Sequence, residues 1–107
     1  MNPIKLNCYH IYSDYTSSYD KEINLDKYYS FELSFRDDSW HIKGYCKCND
    51  KIITEELSDH GIYDFRSLTN FIKIAGNKIH KISTNRENFN LILEINKLLK
   101  HMNQNNK

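Results

Sequence analysis

Two short arrangements in the chain carry the residue types of metal chemistry. Cys8 and His10 are two apart, and so are Cys46 and Cys48; thiolates and imidazoles are the usual ligands of tetrahedral zinc. Both pairs fall in stretches of strand-like alternation, where residues i and i+2 stand roughly 6.5–7 Å apart. Structural cysteine pairs come instead from loops spaced Cys-x2-4-Cys, and an unligated cysteine behaves as a small hydrophobe. The expectation is therefore no metal and no other cofactor. Acid–base chemistry has equally thin support. His10, His41 and His60 are candidates by type, but Ser58-Asp59-His60 is a sequential string, whereas triads are assembled in space from separate segments. The three glycines are isolated, so no phosphate-cradling loop exists. The chain is expected not to be an enzyme.

Two binding chemistries remain. The first is protein recognition by an acidic, tyrosine-bearing surface made of Tyr15, Tyr19, Asp20, Glu22, Tyr28, Glu32, Asp37 and Asp38. Tyrosine supplies contact area at low conformational cost, and acidic neighbours steer a basic partner into place. The second, the alternative, is a nucleic-acid-binding stripe of His41, Lys43, Tyr45 and Lys47, where bases would stack on the ring while lysines follow the phosphates. Glu32 and the Asp37-Asp38 pair lie beside that stripe and oppose it.

Charge distribution favours the first reading. Residues 1–66 hold 12 acidic and 8 basic side chains, while residues 67–107 hold 2 and 7, within a net charge of +1. All 8 tyrosines lie at or before Tyr63. Two chemically different surfaces follow, one acidic and Tyr-rich, the other Lys-rich. Three cysteines are an odd number without the spacing of a secreted disulfide scaffold, and the first residues, Met1 to Asn7, lack the apolar core of a signal peptide. No run approaches the ~18 apolar residues of a membrane span. A cytoplasmic protein without membrane contact is expected. Asn, Ile and Lys number 13, 13 and 12 against 3 Arg and one Ala, a usage that fits an A/T-rich gene such as one on a bacterial mobile element.

The elements that must position these residues centre on Tyr28–Leu57, which reads as three antiparallel strands. Tyr29, Phe31, Leu33 and Phe35 alternate with Tyr28, Ser30, Glu32 and Ser34, giving one aromatic and one polar face. Asp37-Asp38-Ser39 supplies the first turn. Trp40, Ile42, Cys46 and Cys48 then share a face opposite His41, Lys43, Tyr45 and Lys47. Asn49-Asp50, both tolerant of positive φ, suits a two-residue hairpin. Ahead of this meander, Ile4, Leu6 and Cys8 mark a strand running to about Tyr12, expected to join the same sheet. The polar stretch Ser13–Asp26 reads as a long loop.

Beyond the meander, Asp64 is a good N-cap for a helix burying Phe65, Leu68, Phe71, Ile72 and Ala75 and closed by Gly76. Gly76-Asn77 would also fit a hairpin within 65–82, but Phe65 and Leu68 at helical spacing favour the helix. Lys78–Ser83 reads as an edge strand. Thr84 and Glu87 have capping-box spacing ahead of a second helix, roughly 85–102, with Phe89, Ile92, Ile95, Leu98, Leu99 and Met102 on its buried face; residues 103–107 should fray. The order ββββαβα describes one α+β domain spanning residues 1–107, an antiparallel sheet of four to five strands with two helices on one face. The chain is similar in kind to small immunity proteins that neutralise bacterial toxins, which are commonly compact α+β domains. On that likeness of size, composition and architecture, the expected function is inhibition of a basic toxin domain, such as a nuclease, by covering its active site.

Overall fold

The structure, a computed structural model, describes residues 3–11 and 15–83 together with Ile95, Lys97 and Lys100. It is an α+β fold made mostly of strands. In chain order come β1 (Ile4–Ile11), β2 (Thr16–Ile23), a 3-10 turn (Leu25–Lys27), β3 (Ser30–Arg36), β4 (Ser39–Cys48), β5 (Lys51–Glu56), α1 (Phe65–Ala75), a second 3-10 turn (Gly76–Lys78) and β6 (Ile79–Ser83). The strands form a β1-β2 ribbon and a four-stranded sheet ordered β5-β4-β3-β6.

The β3-β4-β5 meander appears as expected, except that Ser39, read as part of the first turn, already belongs to β4 opposite Arg36. Asp37 and Asp38 sit at φ 52° and 60°, Asn49 and Asp50 at 52° and 65°, the positive values that a two-residue type I′ hairpin imposes on both central residues. The rest of the sheet departs from expectation in three ways. β1 does not join the meander sheet but pairs antiparallel with β2, Ile4 opposite Ile23 and Cys8 opposite Tyr19. That second strand occupies most of the stretch read as a loop. Its inward positions are Ser17, Tyr19, Lys21 and Ile23, of which only Ile23 is fully buried, so its alternation of burial is almost invisible as an alternation of hydrophobicity. Finally, β6 lies at the sheet edge as expected but runs parallel to β3, so the sheet is mixed, and the described residues hold six strands rather than four or five.

The segment Gly61–Tyr63 joins the two sheets. Ile62 N–H donates to the Trp40 carbonyl at 2.8 Å, Tyr63 N–H to the Asn7 carbonyl at 2.8 Å, and Tyr9 N–H to the Gly61 carbonyl at 2.9 Å. Gly61 adopts φ 119°, and a Cβ there would lie 2.5 Å from Ser39 Cβ; only glycine lets this strap press onto the start of β4.

Helix α1 resolves the helix-or-hairpin alternative over 65–82. Asp64 Oδ1 accepts from Arg66 N–H at 2.9 Å and caps the free N-terminal amides. Leu68, Phe71, Ile72 and Ala75 are buried as expected, but Phe65 in the first turn is 50% exposed. Gly76 keeps right-handed dihedrals, φ −57° and ψ −34°, and leads into the 3-10 turn instead of stopping the helix in a left-handed conformation. The Phe71 ring meets Phe31 of β3 edge-on at 5.0 Å, so α1 covers the sheet's inner face over Phe31, Leu33 and Ile42, with Leu6 and Cys8 of β1 in the same core. The second helix expected over 85–102, with its capping box, and the frayed end at 103–107 lie largely outside the described residues; Ile95, Lys97 and Lys100 are helical, and Ile95 is buried. No helix among the described residues is long and apolar enough to cross a membrane.

Candidate functional site

Three ends of the fold meet on one side of the molecule. They are the Ile11–Thr16 end of the β1-β2 ribbon, the Asp37-Asp38 hairpin between β3 and β4, and the 58–61 turn. The turn is tight: Gly61 N–H donates to the Ser58 carbonyl at 2.7 Å, and Asp59 takes φ 51°. Between the three ends run two adjoining hollows. One, about 700 Å³, is lined by Tyr9, His10, Tyr19, Asp59 and His60. The other, about 400 Å³, is lined by Ile11, Thr16, Arg36, Asp37, Asp38, Ser39 and His41, and shares Tyr9, Asp59 and His60 with the first. The shared residues make them one continuous cleft. Its rings are braced: Tyr9 packs edge-on against Tyr63 at 5.0 Å, and His10 against Tyr19 at 5.5 Å. Its carboxylates exceed its fixed cations. Asp59 pairs with Lys21 at 3.2 Å and Asp37 with Arg36 at 3.6 Å, while Arg36 also reaches Glu56 at 3.4 Å.

Of the eight residues expected to form a partner surface, three lie at the cleft and three more are exposed on β2 or just before it. Tyr19 lines the cleft, and Asp37 and Asp38 form its rim. Tyr15, 59% exposed, immediately precedes β2 at the same end. Asp20 and Glu22 are exposed along β2, where Asp20 Oδ1 accepts from Asn7 Nδ2 at 3.0 Å. The other two do not belong. Tyr28 is 5% exposed, a core residue; its hydroxyl donates to Glu55 Oε2 at 2.7 Å, and burial first, then Glu55, pushes the phenol pKa well up. The reason is a change of phase. The 3-10 turn at Leu25–Lys27 delivers Tyr28 inward and leaves Tyr29 exposed, the reverse of the alternation read through both residues. Glu32 stands on the outer face of the four-stranded sheet, half-buried, accepting from the Tyr45 hydroxyl at 3.0 Å. Tyr9, Asp59 and His60 were not expected at the site. A tyrosine on a strand and a polar turn carry no signal of their own, and only the strap through Gly61–Tyr63 brings them together.

The alternative stripe is interrupted. Lys43, Tyr45 and Lys47 share the sheet's outer face, with Lys47 Nζ 5.7 Å from the Tyr29 ring centre and Tyr45 edge-on to His80 at 5.0 Å. Lys43, however, is registered between Glu32 and Glu56. His41 is not solvated on that face: it is 4% exposed. Its Nδ1 lies 3.3 Å from Glu56 Oε1, off the line of a well-formed bond, and neither ring nitrogen has a good hydrogen-bond partner. Burial and the Arg36 charge lower its pKa, partly offset by Glu56.

Among the described residues, neither the cysteine pairs nor the Ser58-Asp59-His60 string comes together as a group. Cys8 is buried in β1, Cys46 buried and Cys48 exposed in β4, all as free thiols, and among the described residues no three His, Cys, Asp or Glu side chains gather as metal ligands. The Ser58-Asp59-His60 string is divided by burial. Ser58 is enclosed, its hydroxyl accepting from Ile42 N–H at 3.0 Å and donating to Glu56 at 3.3 Å, while Asp59 and His60 face the cleft.

No protein-family model matches the chain, no curated protein is significantly similar to it in sequence, and no solved structure matches its fold significantly.

Proposed function

We propose that the chain is a non-enzymatic protein-binding domain that inhibits a basic target, an immunity protein neutralising a toxin domain in a bacterial cytoplasm by covering its active site. The observation that carries this reading is the continuity of the cleft. Tyr19 and the Asp37-Asp38 hairpin, on different sheets, flank one concave surface through Tyr9, Asp59 and His60. Braced rings beside carboxylates that outnumber the cleft's cations suit a cationic side chain or loop inserted from a partner. Within this reading the recognition set is Tyr15, Tyr19, Asp20, Glu22, Asp37 and Asp38 of the expected residues, joined by Tyr9 and Asp59. A nuclease is the favoured target class, because a surface that binds phosphates presents the complementary charge. The nucleic-acid alternative is less favoured, since Glu32 and Glu56 flank Lys43, in the middle of the stripe, from the two neighbouring strands.

The test is affinity capture from the native host, run in parallel with the wild-type chain and with a Tyr19→Ala variant. A basic protein retained by the first and lost from the second supports the reading. Equal retention on both removes the cleft as the recognition surface.

A further inference from the structure

Strand β5 differs from the edge strands β2 and β6. Among the described residues it pairs only with β4, and it carries no proline and no bulge, the usual means of blunting an edge. Edge strand β2 is mostly polar, and β6 carries Lys81 and His80 outward. β5 instead exposes two adjacent isoleucines on opposite faces, Ile52 at 61% and Ile53 at 41%.

The backbone geometry fixes what such an edge can accept. Leu57 N–H donates to the Ile42 carbonyl at 2.8 Å, and hydrogen-bonding direction alternates along an antiparallel strand. Residues 51, 53 and 55 therefore point their amides and carbonyls at β4, and Ile52, Thr54 and Glu56 point theirs away from it. A two-fold pairing of β5 with itself keeps matching faces together, so residue numbers opposite each other must sum to an even value. Centred on Ile53, it sets Ile53 against Ile53 of the copy, Ile52 against Thr54, and Lys51 against Glu55. The Ile52–Thr54 pairs then exchange the edge-facing hydrogen bonds, and each end of the inner face joins a cation to a carboxylate. The strand Lys51-Ile52-Ile53-Thr54-Glu55 is complementary to itself when reversed.

We propose that β5 is a self-association edge, and that a second copy of this chain adds its β5 antiparallel in this register, joining two four-stranded sheets into one of eight. The interface shares no residue with the cleft, so it stands or falls independently of the binding function.

Sedimentation of the full chain over a range of concentrations tests it. The wild type is expected to form a reversible dimer. Thr54→Pro, which blocks an edge-facing amide without touching a β4 bond, is expected to be monomeric with unchanged circular dichroism. Should that variant fail to fold, Lys51→Glu, an exposed change, is expected to weaken the dimer roughly tenfold by setting like charges opposite each other at two places. In a background with Cys46→Ala and Cys48→Ser, which removes the thiol opposite position 53 on β4, Ile53→Cys should crosslink on mild oxidation, because a non-hydrogen-bonded antiparallel pair has disulfide-compatible spacing; Thr54→Cys should not. A wild-type chain that stays monomeric, a dimer indifferent to both Thr54→Pro and Lys51→Glu, or an Ile53→Cys variant that does not crosslink would overturn the proposal. A partner that docks a strand of its own on β5 would appear as the first of these.

Discussion

The ring of Tyr28 lies directly against the backbone of Gly44: a Cβ placed on Gly44 would come within 2.6 Å of Tyr28 Cδ1, 2.8 Å of Cε1 and 3.0 Å of Cγ. The contact explains why a glycine stands in the middle of β4, where it forgoes a side chain between Ile42 and Cys46. It also fixes the ring so that its hydroxyl meets Glu55, which holds Lys27 at 2.8 Å with its other oxygen. Gly44→Ala should therefore destabilise the fold by about 1–3 kcal/mol through overpacking, lowering the melting temperature by roughly 4–8 °C for each kcal/mol. In a Tyr28→Ala background the same substitution should cost far less, because the obstructing ring is gone. Equal losses in the two backgrounds would show that the ring is not the obstacle.

His41 makes the stability depend on pH in a direction that can be worked out. Its folded pKa is lowered, by burial first and by Arg36 second, with Glu56 opposing. Above the ordinary value of 6.5, folded and unfolded chains both hold it neutral and the group contributes no pH dependence. Below that value the unfolded chain takes a proton that the folded chain refuses, so stability falls as pH falls, until the folded pKa is reached. The slope in that window is at most about 1.4 kcal/mol per pH unit for one such group. Urea denaturation at pH values spaced through the window should show this fall, and His41→Gln should flatten it. A slope unchanged by the substitution would assign the effect to other groups.

The three cysteines should react very differently. Cys8 is fully buried, and desolvation raises its thiol pKa to about 11, with the charge of Asp59 adding to the effect. The thiolate is the nucleophile, so Cys8 should be inert in the native state. Cys46 is buried at 8% exposure, whereas Cys48 is open to solvent near the β4-β5 turn. A thiol reagent should label one equivalent rapidly in native protein and three in denaturant. Cys48→Ser should abolish the rapid phase, and survival of that phase would contradict the placement of Cys46 and Cys8.

What could be read from the residues alone follows from where hydrophobic alternation is strong. The β3-β4-β5 meander announces itself because Phe31, Leu33, Trp40 and Ile42 are buried at every second position and each turn is built of residues that tolerate positive φ. β2 was hidden because, of its inward positions, Tyr19 packs its ring on the core while Ser17 and Lys21 read as polar. Tyr28 and Tyr29 misled because a three-residue 3-10 turn shifts the phase by one residue, and a shift of one exchanges inside for outside. The parallel pairing of β6 with β3 depends on the path of α1 across the sheet, which no local pattern records. The cleft was half-legible: its acidic hairpin and Tyr19 stand out by type, but Tyr9, Asp59 and His60 reach it only through the contact between Gly61 and Ser39.

The hairpin at Asp37-Asp38 allows stability and recognition to be pulled in opposite directions. Both residues adopt φ values that a type I′ turn reserves for Asn and Gly, and a side chain at positive φ is strained where glycine is not. Replacing the pair by the favoured turn, Asp37→Asn with Asp38→Gly, should stabilise the fold by up to about 1 kcal/mol. The lost ion pair is exposed, since Asp37 is 86% accessible and Arg36 keeps Glu56, so its removal should subtract little. The same double substitution deletes two charges from the cleft rim. If the cleft draws in a basic partner, association should slow several-fold and its salt dependence should flatten, with dissociation little changed. Stopped-flow association with the captured partner, beside thermal melts of the two chains, reads both effects. A chain that is more stable yet binds at the wild-type rate and with the wild-type salt dependence would show that these aspartates serve the turn alone.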